Sequence, residues 1–145
     1  MSTAIHESIV IPRSSAKVAE VATAPSRAFP LLGTTGQFTS VGREADGTEL
    51  WDMVVDIGTV RLAERIHVTS DATSLTWESI RGPNHTMTIG VDEHTDGARV
   101  TMTLTLDLGG IAFGRLAELV ARGIAGRHMV AALERLRHHL TFETA

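Results

Sequence analysis

The stretch from Ile111 to Leu140 constrains this chain more than any other, because Leu116, Leu119, Val120, Ile124, Val130, Leu133, Leu136 and Leu140 recur there at spacings of three and four. That period puts them on one face of a long amphipathic helix. Such a face is stable in water only under a broad apolar cover. The chain before it, from Gln37 to Leu108, alternates apolar and polar residues in short runs, so the expected cover is an antiparallel sheet curling around the helix. Gly123 and Gly126 fall inside the periodic stretch, where each costs ~1 kcal/mol against Ala. Gly123 is expected on the apolar face, and room left there for a ligand is the first hint of function.

Ahead of that helix, Ala4 to Pro12 alternates in the manner of a strand, with Ile5, Ile9 and Ile11 on one side, and Pro12 closes it. Ser14 is placed to cap a short helix running to about Thr23, and Pro25 suits the first turn of a second short helix reaching Leu32. Six strands are then expected: Gln37 to Arg43, Glu49 to Ile57, Thr59 to Thr69, Ser74 to Ile80, His85 to His94 and Ala98 to Leu108. Asp46-Gly47, Gly58, Asp71, Gly82-Pro83-Asn84 and Asp96-Gly97 separate them, and these residue types tolerate tight turns. The spacing fits successive hairpins. The fold class predicted is α+β: a seven-stranded antiparallel sheet wrapped around a long C-terminal helix, with two short helices after the first strand.

Composition narrows the partners. At 145 residues, without an internal repeat or low-complexity linker, residues 1–145 fit one domain. A formal net charge of −4 with no sustained run of Arg or Lys provides no electrostatic footprint for nucleic acid. No cysteine is present, so disulfides and thiolate chemistry are excluded. No leader-like or membrane-inserting apolar run is visible, and a cytoplasmic setting is the expectation. Richness in Ala, Val, Gly and Arg suggests a bacterial source.

This order of elements resembles the START-like superfamily, also called SRPBCC or the helix-grip fold, in its polyketide cyclase/dehydrase-like branch. The residues that carry the resemblance are Ser8-Ile9-Val10-Ile11-Pro12 leading into Ser14 to Val21, Gly58 before a long strand, and Leu75-Thr76-Trp77 before Gly82-Pro83. The terminal helix adds Arg127 and Leu133-Glu134-Arg135-Leu136. The resemblance spans nearly the whole chain. It implies a sheet gripping the last helix, with a cavity between them for an apolar or aromatic small molecule. Members include lipid and sterol carriers, hormone receptors and polyketide cyclases or aromatases, and the fold alone does not choose among them.

Parity along each strand assigns the inner face. Val100, Met102, Leu104, Leu106 and Leu108 form one row of the last strand, opposite a row of Arg, Thr and Asp. Met87, Ile89 and Val91 point inward by the same rule, as do Leu75 and Trp77. On the Glu49 to Ile57 strand the row free of carboxylates, Trp51, Met53, Val55 and Ile57, is taken as the inner one. The Thr59 to Thr69 strand is the informative exception: its apolar row of Val60, Leu62, Ile66 and Val68 holds Glu64 at its centre. A carboxylate in that position is disfavoured in its charged form unless a cation or hydrogen bonds compensate. Glu64 is therefore the candidate catalytic acid or base, and equally a candidate anchor for a ligand hydroxyl. The structural alternative is a Glu paired with an inward Arg such as Arg127, or lifted into solvent by a bulge.

The candidate ligand-binding set is Trp51, Met53, Glu64, Trp77, Met87, Met102, Leu119, Gly123 and Arg127. The two Trp offer stacking surfaces and the three Met an adaptable lining, although each of these types also serves ordinary cores. His85 follows a Gly-Pro-Asn turn and is expected as an exposed hairpin residue. Seven His are scattered without metal-ligand spacing, Gly109 to Gly114 matches neither nucleotide-binding pattern, and no serine sits in a nucleophile elbow. No metal and no cofactor are expected. Tyr is absent, a departure from those family cyclases that place a phenol in the pocket.

Three functions remain open. The first is non-covalent binding of a hydrophobic small molecule, lipid or polyketide-like. The second is a cyclase/dehydratase in which Glu64 moves protons. The third is a protein-interaction domain with a filled core, with Val10, Leu50 and Val54 facing outward as a surface for a homodimer or another partner.

Overall fold

Pro12 has no amide hydrogen to give a ladder, and strand β1 (Ser2–Ile11) stops against it. Ser14 then caps α1 (Ser15–Ala22), its Oγ accepting the Lys17 backbone N–H at 3.2 Å. Helix α2 (Pro25–Leu32) starts on Pro25, where a missing N–H costs no helical bond. Strands β2 (Gly36–Arg43), β3 (Glu49–Ile57), β4 (Val60–Ser70), β5 (Ser74–Arg81), β6 (Asn84–His94) and β7 (Gly97–Asp107) follow. Helix α3 (Ile124–His138) comes last and runs on into a π-helical turn, His139–Glu143. This computed structural model describes residues 2–33, 36–57, 60–82, 84–107 and 123–143.

The seven strands make one antiparallel sheet in the order β1-β7-β6-β5-β4-β3-β2. From β2 to β7 each strand pairs with the next in sequence, while β1 closes onto β7 from Ser2 opposite Asp107 to Ile11 opposite Ala98. Helix α3 touches β1 at one end of this order, β3 near the other end, and α2. A flat sheet could not reach one helix with both strands. The sheet therefore curls around α3, as the sequence led us to expect.

The inner rows are those set by parity. Val100, Met102, Leu104 and Leu106 of β7, Met87, Ile89 and Val91 of β6, Leu75 and Trp77 of β5, and Ile66 and Val68 of β4 are all buried. From α3 the core takes Ala125, Met129, Ala132, Leu133 and Leu136, and Leu140 from the turn after it. The outer face of β3 and β4 is polar instead: Arg65 holds Asp52 through two bonds of 2.8 and 3.2 Å, and Arg61 holds Asp56 likewise at 2.9 and 3.3 Å. Each guanidinium keeps its carboxyl below the usual carboxylate range, by hydrogen bonding first and charge second. Val10, Leu50 and Val54 are half-buried.

One sequence expectation changes at the helix. Gly123 does not lie inside it: its φ of +79° is left-handed, and the described helix begins at the next residue. Gly123 is exposed rather than on the buried stripe. Gly126 is the glycine that matters for packing, since a Cβ there would touch Ile5 and Glu7 of β1 at 3.8 and 3.5 Å. The helical residues expected from Ile111 to Arg122, Leu119 among them, lie outside the described residues, as do Gly58 and Pro83.

Candidate functional site

Glu64 sits in the middle of β4, opposite Met53 of β3, on the concave face between Leu62 and Ile66. It is only 6% exposed. Two local features let a carboxylate occupy that place. The β4–β5 register shifts between Arg65 and Ile66, which face Arg81 and Ser79, so Ile80 is the extra residue of a bulge in β5. Beyond the bulge, Gly82 takes a φ of +112° and lies directly against the Glu64 side chain. A Cβ on Gly82 would come within 2.6 Å of Glu64 Cγ and 2.9 Å of Oε1. Glycine is thus required twice there, by backbone angle and by the closeness of the carboxyl.

His85 of β6 supplies the partner. Its Nδ1 stands 3.1 Å from Glu64 Oε1, with both side chains almost wholly buried. The distance is that of an ion pair, but the ring is out of line for a hydrogen bond, and Oε1 has no aligned hydrogen-bond partner. On its other side the ring accepts the Trp77 indole N–H at Nε2, 3.2 Å away. The His85 backbone N–H is held by Ser79 Oγ at 3.1 Å, just beyond the last β5–β6 pair of Glu78 and Thr86. Trp77, His85 and Glu64 therefore form a polar line across three neighbouring strands.

An aromatic group flanks this line. Phe29 of α2 stacks on Phe38 of β2 at 4.2 Å and meets the edges or faces of Trp51 and Trp77 at 4.8 and 5.3 Å. Trp77 also reaches Phe38 at 6.0 Å. Its ring belongs to the aromatic group while its N–H belongs to the polar line.

Of the residues singled out from sequence, Trp51, Met53, Glu64, Trp77, Met87 and Met102 share the buried concave face. Trp77 is brought to Glu64 through His85, and Met53 is its cross-strand neighbour. Gly123 and Arg127 are exposed at the start of α3. The sequence offers an inward Arg such as Arg127 as one structural alternative for Glu64; the group that the structure places beside the carboxyl is His85. That histidine, expected at the surface, is 9% exposed. The sequence did carry a signal for it: His85 has the same parity as Met87, Ile89 and Val91, and the strand extends back through it to Asn84. Ser79 and Gly82 were missed because a bulge is not visible in strand alternation. Among the described residues no group of three or more His, Asp or Glu is placed to hold a metal ion, and no helix is long and apolar enough to cross a membrane.

No protein-family model matches the chain, and no curated protein matches it by sequence. Solved structures do resemble it. The protein TTHA0849 from Thermus thermophilus is 17% identical, with all of both chains covered, at a TM-score of 0.78. A START superfamily protein from Mycobacterium smegmatis is 14% identical over 95% of this chain and 99% of its own, at 0.72. The Zhui aromatase/cyclase from Streptomyces sp. R1128 is 13% identical over 97% and 94%, at 0.67. At these identities the likeness is one of fold, and this chain has the START-like helix-grip fold.

Proposed function

We propose that this START-fold chain is a ligand-binding domain that takes up a hydrophobic small molecule, lipid or polyketide-like, between the concave face of its sheet and the C-terminal helix. The observation that carries this reading is Glu64: a carboxyl on the inner face, 6% exposed, with Oε1 lacking an aligned hydrogen bond. A core built only for packing has no use for such a group, because a buried polar atom left unbonded costs stability. Ligand burial at about 25 cal/mol per Å² would supply affinity, less the cost of ordering. Trp51, Met53, Met87 and Met102 supply apolar and polarisable surface on the same face.

The 3.1 Å approach of His85 to Glu64 favours a second reading, an enzyme of the cyclase/dehydratase type. A carboxylate beside an imidazole gives two proton sites next to one ligand position, and general acid–base catalysis by such groups contributes about 10²–10⁴-fold. In that case Glu64→Gln lowers kcat on a reactive polyketone by that factor.

Native mass spectrometry of the protein purified from its own host, followed by denaturing extraction, tests binding directly. A stoichiometric apolar compound released on unfolding is the expected result. A clean unliganded mass, with no thermal shift from fatty acids, long-chain alcohols or fused-ring aromatics, sinks the binding reading and leaves a filled interaction domain.

A further inference from the structure

Among the described residues, Val41, Ile80, Val130 and Phe142 are the large apolar side chains left exposed. Two of them belong to the C-terminal helical segment. Val130, at 43% exposure, lies on α3, and Phe142, at 74%, on the π-helical turn that continues it. Between them, at successive steps of four, come Glu134 and His138, both exposed. Side chains four apart stack into one ridge on a helix surface. The His138 ring lies 5.1 Å from that of Phe142, which puts the two on one side. The ridge therefore reads apolar, acidic, imidazole, apolar, and the chain itself covers neither apolar end.

A second copy supplies the cover. When two identical helices face each other antiparallel across a two-fold axis, each position meets the one equally far on the other side of that axis. With the axis at the level of Leu136, Val130 meets Phe142 of the second copy and Glu134 meets its His138. Both isolated apolar side chains are then paired, and each carboxylate faces an imidazole N–H. Glu134 can accept it, because Arg137 holds only its Oε2, at 2.6 Å. A parallel pairing would set Glu134 against Glu134 and His138 against His138, so charge selects the antiparallel one. Arg135 and Arg137 stand on opposite flanks of the ridge at 3.6 residues per turn. In an antiparallel two-fold pair like flank meets like, so these two cations do not oppose each other. We propose that this ridge is a self-association surface through which two copies of the chain form an antiparallel dimer. One helical ridge covers less than the roughly 800 Å² per partner of a standard interface, so the dimer is weak and forms in the upper micromolar range. The proposal does not depend on the ligand reading, and either stands if the other fails.

Sedimentation equilibrium of the wild-type chain should show a monomer–dimer equilibrium, and Phe142→Ala should weaken it at least about tenfold. The exposure of Phe142 lets that variant fold. Glu134→Lys and His138→Glu should each weaken the dimer several-fold, and the two together should restore it, because the swap re-forms the pair. The chain has no cysteine, so Val130→Cys combined with Phe142→Cys tests the geometry. Twelve helical residues rise about 18 Å, beyond the roughly 7 Å that a disulfide spans between Cα atoms. Oxidation is expected to give covalent dimers closed by two bridges and nothing larger, while either single substitution leaves monomer. A ladder of larger oligomers means an open head-to-tail contact and overturns the two-fold. Dimers formed as readily by a single substitution overturn the antiparallel pairing. A wild type that stays monomeric at every concentration overturns the surface, as does a charge-swapped double variant no better than its parents.

Discussion

Gly82 is where a single residue most tightly controls the site. Alanine there meets two penalties at once, a left-handed φ of +112° and a Cβ pressed against the Glu64 side chain. Gly82→Ala is expected to cost about 1–3 kcal/mol, measured as a shift of the urea midpoint, and to push Glu64 away from His85. Gly90→Ala is the matched control, since nothing lies within 4 Å of a Cβ there and its φ is ordinary; it should leave stability nearly unchanged. At this scale the sequence was partly readable. Glu64 stood out because one carboxylate interrupted an apolar row, and burial followed from parity. The need for glycine at position 82 did not, because it arises from a contact between two strands that only a bulge brings into register.

The turn joining β4 to β5 shows how an element is held by one side chain. Asp71 Oδ1 accepts the backbone N–H groups of Thr73 and Ser74, both at 2.9 Å, and lies near their hydroxyls. These bonds, the Thr73 amide first, hold the Asp71 carboxyl below the ordinary carboxylate range. With the folded value below the unfolded one of about 3.9, the group stabilises the fold above that pH and the contribution is lost as pH falls through the folded value. Urea midpoints of the wild type and Asp71→Ala should therefore differ most at neutral pH and converge below about pH 4. Equal separation at pH 7 and pH 3 would show that the turn does not depend on the carboxylate. The position of this turn was legible from Asp71 and the strand residues around it. The bulge at Ile80 on the next strand was not, since an inserted residue leaves the local alternation of a short strand looking regular.

For the molecule as a whole, Phe29 joins parts that are far apart in sequence. It touches Phe38 on β2, Trp51 on β3 and Trp77 on β5, so α2 locks the curl of the sheet from one end. Phe29→Ala should cost about 3–5 kcal/mol and change the fluorescence of both buried Trp residues. Phe142→Ala, at a side chain 74% exposed, should stay within about 0.5 kcal/mol. Equal effects of the two would contradict the packing described. By itself the sequence determined the strands, their inner faces, the two short helices and, over its described part, an amphipathic C-terminal helix, because those depend on period and on residues a few positions apart; Val130, expected on the apolar face of that helix, is exposed. The sequence also placed one carboxyl inside. Tertiary structure alone decided that the carboxyl meets His85 rather than Arg127, that Trp77 orients that ring, and that Gly123 sits at the start of the helix instead of hollowing its face. Those outcomes follow from strand register, a bulge and sheet curvature, which bring together residues that no local pattern relates.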